Sequence, residues 1–267
     1  MIGYRKKLNT KTPTRTILNI ILAVIVPVII LILWEMAVRA KLVNKNLVPP
    51  PTVLWKTLLE LIASGKLLTG LAVSFRRVFS GFFIASMIGV LLGFFMGLFE
   101  PVNRAMASLV NILRPIPTIA LIPIFIIVLG IGESANVSII VIGALWPILL
   151  NTTAGVLSVD RKLMELAYAY RISKSKVVFQ IILPSALYNI ITGLRLGLGG
   201  AWMSVVAAEM IGATSGIGYM IMFAKSLAQA ANMYVLVLVI GIIGLVIDRA
   251  LLFFQNMIRK KFLAIES

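Results

Sequence analysis

Nine carboxylates, 25 lysines and arginines, no cysteine and no histidine make up the ionisable stock of this 267-residue sequence. Without thiols or imidazoles there is no disulfide, no thiolate nucleophile, no imidazole metal site and no Ser-His triad. The carboxylates are scattered rather than grouped at metal-ligand spacing, and no GxxxxGK[ST] phosphate loop occurs. The reading is of a chain that is not an enzyme, with no catalytic residues, no metal and no cofactor of its own. Four residues stand out instead by their place in or at the edge of a long apolar stretch: Arg195, Trp202, Met203 and Glu209. Arg195 is the only basic residue well inside an apparent membrane span, where an ionisable group is costly and normally faces a protein interior or water. It either attracts an anionic solute or is a packing or snorkelling arginine near the inner face. Glu209 lines an outer gate, meets an external protein, or is a plain interfacial carboxylate. Trp202 and Met203 face a neighbouring helix or a pathway, and periodicity does not choose between them.

The elements that must position these residues follow from composition. The chain is 60% hydrophobic, only 13% charged, and has a mean hydropathy of +1.05. A water-soluble domain of this length cannot hide so much apolar surface, whereas lipid removes that constraint. The charges bunch between long uncharged runs, the pattern of an all-α polytopic membrane protein in a lipid bilayer. The net charge of +16 does not point to nucleic acid, because the basic residues flank apolar segments instead of forming one aromatic-interleaved stripe.

About six transmembrane helices are expected. Residues 1–16 form a basic cytoplasmic arm, and 17–38 a first helix ended by Glu35 and Arg39. Residues 39–77 form an external loop, in which Pro49-Pro50-Pro51 is followed by Val53, Leu54, Thr57, Leu58, Leu61 and Ile62 at helical spacing. That pattern predicts a short amphipathic helix on the membrane surface. A core of 78–248 holds the remaining spans, beginning with Val78–Phe99, whose glycines 81, 89, 93 and 97 allow close helix approach. A third span runs from about Pro115 to Gly132 with a kink at Pro123, a fourth lies inside Ser134–Val159, and a fifth runs from Pro184 to Ala208. Glu209–Lys225 is too short between its charges and reads as re-entrant or interfacial. The last span is Met233–Ile247, and 249–267 is a cytoplasmic tail. With the amino terminus inside, sixteen of the 25 basic residues fall on the cytoplasmic side, as the positive-inside rule prefers.

Segment 160–183 interrupts the apolar pattern with seven charges yet stays helix-forming. Asp160 suits a helix start. Leu163, Leu166, Ala167 and Tyr170 share one face, and after a break near Arg171–Ser173, Val177, Val178, Ile181 and Ile182 form a second stripe. Two short helices meeting at an angle would expose a knob to the cytoplasm or lie on lipid.

Glu165-Leu166-Ala167, followed by Leu183-Pro184, resembles the "EAA" loop of permeases in binding-protein-dependent ABC importers. Leu166 replaces an Ala of that pattern, and Arg171 stands where the family has a Gly six residues after the Glu; if that Gly serves a left-handed turn, Arg costs about 1 kcal/mol there. Leu113-Arg114-Pro115-Ile116-Pro117, Gly130-Ile131-Gly132-Glu133, Pro147 to Thr152, Thr192-Gly193-Leu194-Arg195 and Ala207 to Gly212 look like the aliphatic sulfonate/nitrate/taurine branch. The resemblance implies a type I ABC importer permease fold in a bacterial cell membrane, with both termini cytoplasmic. It implies a permease homodimer, two ABC ATPase subunits that bind the ATP, and an extracytoplasmic substrate-binding protein. It also implies that Glu165, Ala167, Arg171, Ser173, Leu183 and Pro184 couple to the ATPase. The solute is then small and anionic; a vitamin precursor carried by a related permease, or a secondary transporter, are the alternatives.

Overall fold

In the computed structural model of the protein, residues 13–263 are described, with side chains from 25 to 258. Among them the only regular structure is helical. Helix α1 (Pro13–Arg39) covers the expected first span, and the rest of the amino-terminal arm lies outside the described residues. At its end Glu35 accepts from Arg39 Nε at 2.7 Å and from the Thr52 amide and hydroxyl at 3.1 and 3.0 Å. Thr52 opens α2 (Pro51–Ala63), so one carboxylate both closes α1 and satisfies a free amide of the next helix. Pro51 takes the first helical position, where its missing amide costs nothing. The predicted amphipathic helix is this element: Leu54, Thr57 and Leu61 are buried, while Trp55 and Leu59 are exposed.

Helix α3 (Lys66–Leu98) corrects the sequence reading. Its 33 residues start within the stretch expected to be an external loop, and Arg76-Arg77 lie inside the helix instead of before it. The uncharged run is only the later two thirds of the helix: at about 1.5 Å per residue α3 is roughly 50 Å long and projects beyond a bilayer core.

The third span differs too. In its place stand α4 (Glu100–Leu113) and α5 (Thr118–Leu129), which meet at 96° across a short break, the geometry of a broken span or a re-entrant loop. Pro115 and Pro117 fall in that break, and each disfavours helix at the residue before it. Alone, α5 has 12 residues, about 18 Å, too short to cross.

Helix α6 (Glu133–Leu157) follows, then α7 (Arg161–Ala169) and α8 (Lys174–Val177). A π-helical turn at Val178–Ile182 leads into α9 (Leu183–Gly212), so residues 174–212 form one continuous helix of 39 residues. The short α10 (Ile217–Ser226) occupies the segment expected to be too short to span. The final helix, α11 (Ala230–Leu263), runs well past the expected end of the last span, with Asp248 and Arg249 inside it. Four described helices are long and apolar enough to cross a membrane: α3, α6, the 174–212 helix and α11; the bent α4–α5 pair adds a fifth if the two form one span.

The core is the contact of α3, α6 and α9, where Val78, Ala85, Ile140, Ala144, Ile148, Ala201 and Val205 are almost fully buried. Gly93 shows why small residues line it: a Cβ there would lie 2.6 Å from the Leu149 carbonyl oxygen. Lipid offers no hydrophobic drive between helices, so such close backbone approach and its dispersion contacts hold them together.

Candidate functional site

The first feature is the 160–183 projection. Asp160 caps α7, its side chain accepting from the Lys162 amide at 2.9 Å. The helix ends in a Schellman motif: the Arg171 amide donates to the Tyr168 carbonyl and the Ile172 amide to the Ala167 carbonyl, both at 3.0 Å. Arg171 sits at φ +51°, the left-handed region that favours glycine. This is the turn for which a glycine would be the easier residue. From Arg161 to Lys176 every residue is exposed except Ala167, which is 3% exposed. Leu163, Leu166, Tyr168 and Tyr170 therefore present apolar surface outward, with Glu165 beside Arg161 at 3.4 Å. Glu165, Arg171, Ser173 and Pro184 are accessible. Ala167 faces its own chain, and Leu183 packs against the buried Val156, Ile182, Ala186 and Ile190.

The second feature surrounds Arg195. Its Nη2 and Nε donate to Asp248 Oδ1 on α11 at 2.8 and 3.2 Å, and Nη1 donates to Gln255 Oε1 at 3.1 Å. Gln255 in turn donates to Thr192 Oγ1 at 2.7 Å. Arg195 is thus a paired cation, set on the wall of a cleft of 730 Å³ lined also by Arg114, Trp146, Asn151, Met203 and Asp248. Met203 is 78% exposed beside this cleft. The adjacent Trp202 points the other way: it is buried, stacks near Phe75 with ring centres 5.3 Å apart, and donates to the Ile240 carbonyl at 3.2 Å. Of the four residues picked out from sequence for a pathway, Arg195 and Met203 share a cavity wall, and Trp202 and Glu209 do not.

Glu209 is 1% exposed, at the last turn of α9. Both its oxygens lie 2.8 Å from the Ser74 hydroxyl, Oε1 accepts from Arg77 Nη1 at 2.8 Å, and Oε2 accepts from the Gly218 amide at 3.0 Å. Arg77 is itself buried and makes five hydrogen bonds, one for each guanidinium N–H. Nε and Nη2 grip Glu133 as a fork at 3.0 and 2.6 Å, and Ser215 receives two more bonds at its carbonyl and hydroxyl oxygens. Arg76 approaches Glu133 at 3.3 Å from outside. Sequence reading missed this cluster and named Arg195 as the basic residue inside a span. The signal was present: Leu67, Gly70, Ser74, Arg77, Val78 and Gly81 recur at helical spacing, carrying the buried face of α3 upstream through the arginines.

Long apolar helices, a solvent-exposed helical projection and a cleft that carries Arg114, Arg195 and Asp248 beside the core are the frame of a polytopic membrane protein. Residues 89–263 match the family described as the binding-protein-dependent transport system inner membrane component. A putative ABC transporter permease protein of Methanocaldococcus jannaschii is 34% identical over 96% of each chain. A putative aliphatic sulfonates transport permease protein of Bacillus subtilis is 32% identical, over 89% of this chain and 86% of its own. Among solved structures, a chain of the MetNI methionine ABC transporter in an inward-facing conformation superposes with a TM-score of 0.63. It is 21% identical, covering 72% of this chain and 95% of that one. The chain belongs to the permease family of binding-protein-dependent ABC importers, and its fold is the type I permease fold. Such a subunit works with ATPase and binding-protein partners and is a transport protein, not an enzyme.

Proposed function

We propose that this permease pairs with a second copy of itself and carries a small anion of the sulfonate, nitrate or taurine kind into the cell. The observation that carries the substrate reading is the cleft into which Arg114 and Arg195 both project, beside Asn151 and Trp146. Asp248 offsets one of the two cations, which leaves the wall net positive and able to release what it attracts. A relative described as a sulfonates permease supports the same class. The exposed α9 residues Leu196 and Met203, next to Gly199 and Gly200, support a two-chain pathway in which this cleft faces the partner copy.

In this reading the two termini and the 160–183 projection lie in the cytoplasm, and the apolar tip of that projection seats on the ATPase. ATP closes the ATPases, draws the projections together and shifts the permease between its two openings; the bound nucleotide supplies the differential affinity such a shift requires. A proton-coupled secondary transporter would use bare acids within its spans. Glu209 is buried within α9, but it is neutralised by Arg77 and so does not serve that chemistry.

The test is uptake into proteoliposomes holding the permease, its ATPase and its binding protein. Labelled alkanesulfonate uptake is expected to need ATP and to be competed by taurine or nitrate. Competition by an uncharged vitamin precursor, with none by these anions, would replace the anion reading.

A further inference from the structure

We propose that Arg77 and Glu209 are positioning residues for transport, fixing α10 and the turn before it as a wall of the cavity between α2, α3, α10 and α11. The proposal rests on the transport role of the family and not on the anion reading. Helix α10 has only 10 residues, and its first amides have no intrahelical partner. Two of them are satisfied from other helices: Ile217 N donates to Ser74 Oγ at 3.0 Å, and Gly218 N donates to Glu209 Oε2 at 3.0 Å. A carboxylate at a helix amino terminus also meets the positive end of the helix dipole. The turn that precedes α10 is built around the same group. Gly216 has φ +103°, and a Cβ on it would overlap the Glu209 carboxylate. Ser215 is held by Arg77 through its carbonyl oxygen at 2.7 Å and its hydroxyl at 3.1 Å.

The Arg77–Glu209 pair is closed to solute, although Glu133 is half exposed at its edge. All five guanidinium N–H groups are used within the protein, and Glu209 is buried. What it does instead is join four helices, with Arg77 from α3, Glu133 from α6 and Glu209 from α9 meeting the amino end of α10. The α3–α6–α9 contact is made of close backbone approaches, whereas the amino end of α10 is fastened by these polar bonds. Just beyond the fastening, Ser215, Gly216, Tyr219 and Met220 line a cavity of 480 Å³ with Thr69 and Gly70 of α3. Loosening the ion pair therefore moves a cavity wall without touching a solute-binding group, so turnover changes while solute affinity does not.

The experiment uses the complete transporter in proteoliposomes. Glu209→Gln keeps the size of the side chain and an oxygen for Gly218 but leaves Arg77 one anion short. Maximal uptake per assembled complex is expected to fall about tenfold, with half-saturation kept within about twofold. A Tyr219→Cys reporter, in a chain with no native thiol, is expected to react faster with a soluble maleimide in the Glu209→Gln background. Arg77→Lys keeps charge without the fork and is expected to give an intermediate loss. If Glu209→Gln does not assemble, Ser74→Ala and Ser215→Ala keep both charges and are expected to lower maximal uptake about threefold each. Unchanged uptake per complex, a loss explained wholly by fewer complexes, or a raised half-saturation with an unchanged maximal rate would each overturn the proposal.

Discussion

Arg195 on α9 and Asp248 on α11 form an ion pair, Nη2 to Oδ1 at 2.8 Å, on the wall of the cleft that also takes in Arg114. An uncompensated cation within a span costs at least about 2.5 kcal/mol on insertion scales. Here Asp248 and Gln255 offset that cost, and the 39-residue helix containing Arg195 is tied to α11 by it. Pairing and solute attraction are compatible, because Arg195 keeps 21% of its side chain exposed.

The two roles separate in variants. Arg195→Gln is expected to lower anion uptake per assembled complex about tenfold, and Arg195→Lys to keep part of it, since charge survives while the planar fork is lost. Asp248→Asn removes the same ion pair but leaves the cation in the cleft, so its effect is expected to be smaller. Uptake measured against the amount of intact complex checks this. Equal losses in Arg195→Gln and Asp248→Asn would reduce Arg195 to a helix tie.

The left-handed Arg171 makes the second prediction. Glycine adopts φ +51° without the Cβ penalty, so Arg171→Gly is expected to stabilise the end of α7 by about 1 kcal/mol. That corresponds to roughly fivefold slower local opening, readable as slower hydrogen exchange at the Arg171 and Ile172 amides, which close the motif. A β-branched residue fits that region poorly, so Arg171→Val is expected to speed exchange at the same amides.

The projection's faces differ in a way that sequence periodicity does not show. Leu166 is 53% exposed and Ala167 3%, though both belong to the motif that resembles a coupling loop. Leu166→Glu is expected to leave the amount of permease unchanged while abolishing ATP-driven uptake, because a charge is set in the apolar surface offered to the ATPase. Ala167→Glu places the charge against its own chain and is expected to lower the amount of assembled complex as well, a buried unpaired charge being strongly destabilising. Quantifying both variants in membranes and in uptake assays tells a docking surface from an internal packing position.

Much of the helix inventory was legible because uncharged length and apolar content report directly on lipid burial, as for α6, whereas the fifth span was expected to open at Pro184 and its helix in fact runs on unbroken from Lys174. Charge was the misleading signal. Arg76-Arg77 looked like a boundary because a basic pair usually marks one, yet Arg77 is buried by carboxylates 56 and 132 positions away in sequence. No local pattern names such distant partners. The same blindness hid the 96° break between α4 and α5, since Pro115 and Pro117 announce an interruption but not its angle. Trp202 and Met203 are neighbours on one helix, and only the packing of Phe75 and Ile240 decides which one faces inward.

Orientation is the last prediction, and the absence of native cysteine makes it clean to test. Basic flanks are retained in the cytoplasm, and the 160–183 projection carries Arg161, Lys162, Arg171, Lys174 and Lys176, all exposed. A cysteine at Lys174 is therefore expected to resist a membrane-impermeant maleimide in intact cells and to react once the membrane is opened. A cysteine at Lys56, on α2, lies at the other end of α3 from the α4 junction and is expected to react in intact cells. This arrangement requires an even number of crossings between the amino terminus and α7, which α3 and α6 supply together with one crossing each by α1 and the bent α4–α5 pair. Labelling at Lys174 but not at Lys56 in intact cells would invert the arrangement and move the projection away from any cytoplasmic ATPase.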